Sequence, residues 1–249
     1  MSENKIAGYR DRIYSQYLRS CGIAPDPLGE VSLASRAPTL RRIVRRHFPA
    51  SLDARILDLG CGHGAFVHFI REAGYRNVVG VDRSPEQVAE ALKLGVEGVR
   101  EGDLVETLQN LPAESQDVVI AFDVIEHFTK PELLSFIDEV RRVLKPAGRW
   151  IIHAPNGESP FVGAVLYGDF THEQAFTRAS LSQLLLASGF DRVECYEDRP
   201  HTKSLIGVAR RALWSVFRTI LLLYLAAETG ESGRGRILSQ NLLAIAIKA

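Results

Sequence analysis

The chain has 249 residues, of which 46% are hydrophobic, and its 30 basic side chains balance 30 acidic ones. The length fits one domain with insertions, the apolar content suffices for a sizeable core, and the lack of net charge argues against nucleic acid as a general partner. The three cysteines, Cys21, Cys61 and Cys195, are widely spaced and odd in number, which predicts no metal site and favours a reducing compartment. The N-terminal residues lack the apolar core of a secretory signal, so we expect a cytoplasmic protein.

Two helices are expected before the first strand. Residues 9–18 have the spacing of an amphipathic helix with Tyr9, Tyr14 and Tyr17 near one side, and a turn follows at residues 25–27. Residues 40–48 form a second predicted helix, which Thr39 could cap and which carries four arginines. This basic face is either solvated, which is the commoner case, or binds an anionic substrate.

A strand, a glycine turn and a helix meet within residues 55–66. The apolar strand contains Asp58 near its end, glycines follow at positions 60, 62 and 64, and the spacing from Ala65 onward is helical. Because glycine lacks the Cβ that blocks close approach, the turn predicts a bound ligand, although such turns also serve only to pack a helix on a sheet. The spacing differs from the dinucleotide fingerprint, and the Asp58 carboxylate suits an ammonium group better than a pyrophosphate.

The next strand, residues 77–82, also ends in an acidic residue. Ser84 and Pro85 then give the N-cap and first position of a helix. Asp82 stands where a doubly wound fold places the carboxylate that accepts hydrogen bonds from ribose hydroxyls. The alternative is that Asp82 merely ends a strand.

Three further motifs, in residues 99–104, 115–128 and 143–153, complete the pattern. With them the chain resembles the class I S-adenosylmethionine-dependent methyltransferases, with every motif in order over residues 50–195. We therefore expect an α/β fold with a Rossmann-like, doubly wound, seven-stranded sheet that is parallel except for an antiparallel last strand, with helical insertions. The first 50 residues would be N-terminal helices, and residues 51–249 the domain that binds S-adenosylmethionine (SAM).

The resemblance also implies a cofactor site at the ends of the strands. Its residues would be Asp58, Gly60, Cys61, Gly62, Gly64, Asp82, Arg83, Asp103, Leu104, Phe122, Asp123 and His127. In this site the glycine turn faces the methionine end, and Asp58 engages the amino group. Asp82 grips both ribose hydroxyls and Asp103 accepts from the adenine amine. In many methyltransferases of this type a leading helix like residues 9–18 lies over the cleft, although it could equally pack outside the sheet.

The insertion at residues 155–178 lies where a methyl acceptor must sit, because ligands bind beyond the carboxyl ends of parallel strands. Residues 168–177 resemble a subgroup of bacterial methyltransferases similar to those of quinone and cell-surface sugar pathways, which nominates Asp169 and His172 as acceptor-side groups. Transfer to a hydroxyl oxygen of a small molecule or saccharide is favoured, with nitrogen and carbon open. Such a hydroxyl needs a base, for which His172 is the first choice and His153 and His127 are the others.

A second insertion, residues 200–240, separates the predicted strands 192–197 and 241–248. Its apolar run at residues 213–227 is interrupted by Arg218 and is expected to be too short to span a bilayer. Residues 205–229 could form an interfacial helix in peripheral contact with a membrane. A helix buried over the active site, or a homodimer contact, is the more conventional interpretation.

Two other classes of function stay open from the sequence. A nicotinamide-dependent oxidoreductase would use a similar sheet but needs a third glycine at another offset. A noncatalytic, SAM-binding or membrane-associated accessory protein would use the helical insertion at residues 205–229 instead of an acceptor site.

Overall fold

The fold was determined as a computed structural model. The structure describes residues 8–17, 30–199, 204–230, 233 and 235–249. The predicted turn at residues 25–27, the end of the first predicted helix at Leu18, and Cys21 lie outside the described residues.

Within the described residues, seven strands form one sheet. They are β1 (Arg55–Leu59), β2 (Asn77–Asp82), β3 (Val99–Glu101), β4 (Gln116–Phe122), β5 (Leu144–Pro155), β6 (Phe190–Glu197) and β7 (Asn241–Lys248). Their order is β3-β2-β1-β4-β5-β7-β6. Only β7 runs antiparallel to its neighbours β5 and β6, and the other pairings are parallel. The predicted α/β sheet, parallel except for its last strand, is confirmed.

Helices cover both faces of this sheet. They are α1 (Tyr9–Tyr14), α2 (Glu30–His47), α3 (Ala65–Glu72), α4 (Pro85–Lys93), α5 (Leu104–Gln109), α6 (Lys130–Val143), α7 (Val162–Leu166), α8 (Arg178–Ala187) and α9 (Leu205–Thr229). Side chains alternate along β5, so that buried Trp150 packs in one core layer with α6 and α8, and buried Ile151 packs in the other with α2 and α3. Strands buried on both faces explain the continuous apolar runs of the sequence.

The start predicted for the second helix was wrong. Helix α2 begins at Glu30, so Thr39 lies inside it and cannot cap it. The physical reason is that the apolar spacing extends about two turns further toward the N-terminus, where Ala37 is buried below Leu40 and partly buried Leu33 packs against the same core. Its arginines do not gather into one anion site: Arg41 pairs with Glu72, and Arg42 with Asp198.

The strand topology brings three chain segments to one edge of the sheet. Since β6 is parallel to β5, both strands end at the edge where β1, β2 and β4 also end, and β7 begins there. Buried Asn156, directly after β5, donates from its side-chain amide to the carbonyls of Ile237 and Ser239, just before β7. The insertions after β5 and after β6 are therefore joined at the edge that carries the ligand site.

Helix α9 differs from the expectation of a buried helix over the active site. None of its residues is buried. In the described part of the chain it is also the helix long and apolar enough to cross a membrane by length and composition, with 25 residues and a mean hydropathy of 1.3. The interpretation as a buried helix was wrong, and so was the expectation of insufficient length, because the helix starts well before residue 213.

Candidate functional site

A cavity of about 280 Å³ opens among the carboxyl ends of β1, β2 and β4. All residues predicted for the cofactor site line this cavity except Gly64. Gly64 instead ends the turn at the N-cap of α3 with a φ of +78°, and a Cβ there would lie 2.9 Å from the Val96 side chain. Its role is to let the turn close against the loop before β3.

The glycine turn needs its glycines for two separate reasons. Gly60 and Gly62 have φ values of +72° and +55°, in the region that residues with a Cβ rarely adopt. At Gly60 a Cβ would also lie 2.4 Å from Cγ2 of Val124, which follows β4. The turn thus presents bare backbone to the cavity and packs tightly against the neighbouring strand end.

Asp82 holds the glycine turn in place. Its Oδ2 accepts from the Gly62 amide at 2.7 Å, and its Oδ1 accepts from the Ser84 amide at 2.8 Å. Burial raises the pKa of this carboxyl, and the two amide donors oppose that rise. The carboxylate is therefore fixed by the turn that it supports, and Asp82 lines the cavity.

Asp58 is the group with the least satisfied chemistry in the site. Its side chain is 1% exposed, and neither carboxyl oxygen has a hydrogen-bond partner within the described residues. Burial, together with the charge of nearby Asp82, raises the pKa of Asp58 well above its usual value. Because an unpaired buried carboxylate is strongly unfavourable, this position fits a ligand that brings a cationic donor, as an amino group does.

Asp103 and Gln87 complete the wall on the side of β2 and β3. Asp103 caps α5: its Oδ1 accepts hydrogen bonds from the amides of Val105 and Glu106. Its Oδ2 takes part in neither of these two hydrogen bonds. The Oε1 of buried Gln87 has no partner within the described residues and lies next to Gly62. Sequence reasoning missed Gln87, although its place in the first turn of the helix after Asp82 is a usable signal.

The acceptor-side candidates meet in a hydrogen-bonded group next to the cavity. Nδ1 of His127 lies 2.8 Å from Oγ1 of Thr171, whose hydroxyl donates to Oδ1 of Asp169 at 2.6 Å. Thr171 therefore accepts from His127, which fixes the proton on Nδ1 and leaves Nε2 with a lone pair. Burial, with the neighbouring His172, lowers the pKa of His127 to about 4. His127 is neutral at physiological pH.

His172 stands behind His127, with their ring centroids 4.7 Å apart. Its Nδ1 donates to the Val165 carbonyl at 3.0 Å, so its Nε2 also keeps a lone pair. His127 lines the cavity itself, whereas Asp169 and His172 form the layer behind it. Both predicted acceptor-side residues thus lie beside the cavity but not on its wall.

Buried Glu126 lies beside this pair. The ligand atoms of Glu126, His127 and His172 come within 4.8 Å of one another, a group of three that could hold a metal ion. Burial, with the charge of Asp123, raises the pKa of Glu126 well above its usual value. The expectation of no metal stays a prediction, which chelation tests.

The third candidate base, His153, is placed differently. It is buried in β5, stacks on the Phe122 ring at 4.0 Å, and its Nδ1 lies 2.5 Å from Oδ1 of Asp123. Burial alone would lower the pKa of His153, but the carboxylates of Asp123 and Asp198 raise it to about 10. Protonated His153 thus forms an ion pair with Asp123 and supports the loop that follows β4.

Helix α1 lies over the cavity, which is the first of the two arrangements considered for it. Arg10, Tyr14 and Tyr17 line the cavity, and the Tyr17 hydroxyl donates to Asp169 at 3.2 Å. Arg10 pairs with Glu132 at the start of α6, which anchors the helix to the body of the domain. The cavity therefore has an aromatic cover on its acceptor side.

Known proteins are similar to this chain in sequence. Residues 57–152 match a family described as "Methyltransferase domain". A probable S-adenosylmethionine-dependent methyltransferase of Mycolicibacterium smegmatis is 32% identical over 137 residues, 55% of this chain and 51% of that protein. A ubiquinone biosynthesis O-methyltransferase of Xylella fastidiosa is 28% identical over 136 residues, 53% and 54% of the two chains. This chain thus spans about half the length of these two relatives.

A solved structure reproduces the fold over most of the chain. It is a SAM-dependent methyltransferase from Archaeoglobus fulgidus with a TM-score of 0.62 and 22% identity, covering 88% of this chain and 99% of that one. At this identity the likeness shows the fold alone.

Proposed function

We propose that this chain is a class I SAM-dependent methyltransferase and that it transfers a methyl group to a hydroxyl oxygen of a small molecule or saccharide. The observation that supports the site best is Asp58, a buried carboxyl without a partner at the glycine turn. A ligand with an amino group satisfies it, and Asp82 at the next strand end has the carboxylate that ribose hydroxyls require. When bound, SAM supplies an electrophilic methyl group on a sulfonium.

The named residues would divide the cofactor among three strand ends. Asp58 and the Gly60–Gly62 backbone would hold the methionine end, Asp82 the ribose, and Asp103 the adenine amine. The unpartnered Oε1 of Gln87 beside Gly62 supplies one more acceptor near the ribose side. This division leaves the His127 side of the cavity for the methyl acceptor.

Oxygen is proposed as the acceptor atom because the acceptor side of the cavity holds histidines whose Nε2 atoms are free to accept a proton. The relative from Xylella fastidiosa is itself named an O-methyltransferase. Neutral His127 on the cavity wall would orient the acceptor hydroxyl, and one bound water would pass the proton of that hydroxyl to Nε2 of His172 behind the wall. Asp169 and Thr171 keep the His127 ring in its tautomer, and α1 excludes water from above.

A screen of hydroxylated acceptors with SAM tests the proposal, with release of S-adenosylhomocysteine as the readout. Turnover that requires a free hydroxyl on the acceptor is expected. Methylation confined to amines would contradict the choice of oxygen, and tight binding of NAD without binding of SAM would contradict the site itself.

A further inference from the structure

The outward face of α9 is apolar along its whole length. Six of the exposed side chains on this face are Leu205, Leu213, Val216, Phe217, Ile220 and Leu223. Viewed down the helix axis at 3.6 residues per turn, the exposed apolar side chains lie in an arc between the directions of Val208 and Phe217, which is about half of the helix circumference. A two-stranded coiled-coil seam is a narrower stripe, so a second copy of this helix would leave much of the face uncovered.

Two of the four charged side chains of α9, Arg211 and Arg218, face the protein, whereas Arg210 and Glu228 are exposed. Arg211, Trp214 and Arg218 lie on the half-buried side, and Nε of Arg218 pairs with Glu197 at 2.8 Å. A surface helix of a soluble protein normally turns its apolar stripe inward and its charges outward. Helix α9 instead exposes its large apolar side chains, an orientation that favours an apolar medium outside the helix.

The chain after α9 shows that the helix does not cross a bilayer. Gly233 packs against Leu222, and the carbonyl of Arg236 accepts from Nη2 of Arg218 at 3.1 Å. The described residues of the return to β7, 233 and 235–240, are non-helical, and two of them contact the second half of the helix. In a spanning arrangement this backbone would lie in hydrocarbon without regular hydrogen bonds, which lipid-exposed segments do not tolerate. A helix lying in the plane of the interface keeps the return segment in the headgroup region.

The helix is attached to the acceptor side of the active site. Glu158, in the insertion after β5, pairs with Arg236 and accepts from the Ile237 amide, so the return segment and this insertion are in contact. The same insertion carries three exposed aromatic side chains, Phe161, Tyr167 and Phe170. Both apolar elements extend from the edge of the sheet that holds the cavity.

We propose that α9 lies in the headgroup region of an anionic lipid bilayer and presents the catalytic edge to it, so that the methyl acceptor is a membrane-held amphiphile. The charges fit this partner, since exposed Arg210 and half-buried Arg211 lie in the first half of the helix and Glu228 is its one acidic residue. Trp214 and Tyr224 are residue types favoured at the level of the headgroups. The inference about the acceptor rests on the proposed methyl transfer, whereas the inference about the bilayer does not.

Vesicle co-sedimentation tests the docking, using phosphatidylcholine vesicles with and without phosphatidylglycerol. Wild type should bind the mixed vesicles and bind pure phosphatidylcholine more weakly. The Ile220→Glu/Leu223→Glu double variant should lose at least about tenfold in vesicle affinity, because two side chains no longer enter the apolar layer. Leu92→Glu is the matched control, since Leu92 on α4 is 66% exposed, as Leu223 is, and lies far from α9 along the chain. The control should bind as wild type does.

Three results would overturn the docking. The first is failure of wild type to bind vesicles, and the second is equal binding by the double variant. The third is a wild-type dimer in light scattering that becomes a monomer in the double variant, while neither protein binds vesicles. Calorimetry with SAM, unchanged in all variants, shows that the fold is intact.

The acceptor class is tested with methyl-labelled SAM and total lipid extract of the host cell. Label in the organic phase is expected. Label confined to soluble products would overturn the lipid acceptor while leaving the methyl transfer intact. No label anywhere, despite vesicle binding, would count against the proposed methyl transfer alone.

Discussion

Replacing Asp58 by asparagine should weaken SAM binding without weakening the protein. Asp58 is buried, its oxygens are unpartnered within the described residues, and burial raises its pKa, which favours the neutral acid in the absence of ligand. Asparagine is neutral and of nearly the same shape. Binding of the cofactor ammonium converts the acid into a paired carboxylate, which the amide cannot reproduce.

The size of the effect follows from that single contact. A hydrogen bond to a charged group contributes roughly 1.5–3 kcal/mol, so we expect a loss of about 2 kcal/mol, or about 30-fold in the dissociation constant for SAM. Binding to wild type should also release a proton from Asp58 at pH values below its raised pKa. The affinity of wild type should therefore rise with pH by up to about tenfold per unit, relative to Asp58→Asn.

Titration calorimetry in buffers of different ionisation enthalpy measures both the affinity and the proton release. The amino group of SAM titrates alike with both proteins, so the difference between the two profiles belongs to Asp58. Stability gives the control. A raised pKa in the folded state gives stability that is present below the unfolded value of about 3.9 and is lost as pH rises through the folded pKa. Asp58→Asn should thus be at least as stable as wild type in urea at neutral pH. Equal affinity and equal proton release in the two proteins would refute the assignment.

Four further predictions follow from the same geometry. Gly60→Ala should lower SAM affinity at least about tenfold, because the new Cβ would lie 2.4 Å from the Val124 side chain. Gly95→Ala is the control: Gly95 has a similar φ of +68° but nothing within 4 Å, so this variant should lose roughly 1–2 kcal/mol of stability and bind SAM normally. Similar SAM affinity in both variants would contradict the role of Gly60. His172→Ala should reduce kcat about a hundredfold or more and leave SAM affinity unchanged, and an unaltered pH–rate profile would dismiss it as the base. The pair of His153 with Asp123 should stabilise the fold fully below pH 6.5 and lose this contribution as pH rises toward 10, so urea unfolding of wild type should weaken over that range and that of His153→Gln should not. Chelation by EDTA should leave turnover unchanged, and loss of turnover restored by a divalent cation would make Glu126, His127 and His172 its ligands.

The local parts of the site could be predicted because their signals are contiguous in sequence. The glycine turn, Asp58 before it and Asp82 at the next strand end are each determined by a few neighbouring residues. The parallel sheet then brings the strand ends together, since parallel strands with helical connections all end at one edge. The strand predicted at residues 241–248 also agrees with the observed bounds of β7, because its signal is likewise contiguous in sequence.

Other features depend on contacts that the local sequence does not encode. Asp123 and His153 pair across neighbouring strands 30 positions apart in sequence, and nothing near either residue indicates the partner. His127 and His172 come together only because the insertion after β5 folds back over the end of β4. Helix α9 exposes its apolar face rather than burying it, so the usual interpretation of its amphipathic pattern gives the wrong side for the contact with the protein.

The most direct test of the account is a crystal structure with S-adenosylhomocysteine bound. It should show the amino group of the product at hydrogen-bonding distance, about 3 Å, from a carboxyl oxygen of Asp58, with the ribose hydroxyls on Asp82 and the adenine amine at Asp103. Product bound elsewhere, or in this cavity with Asp58 still unpaired, would contradict the central assignment.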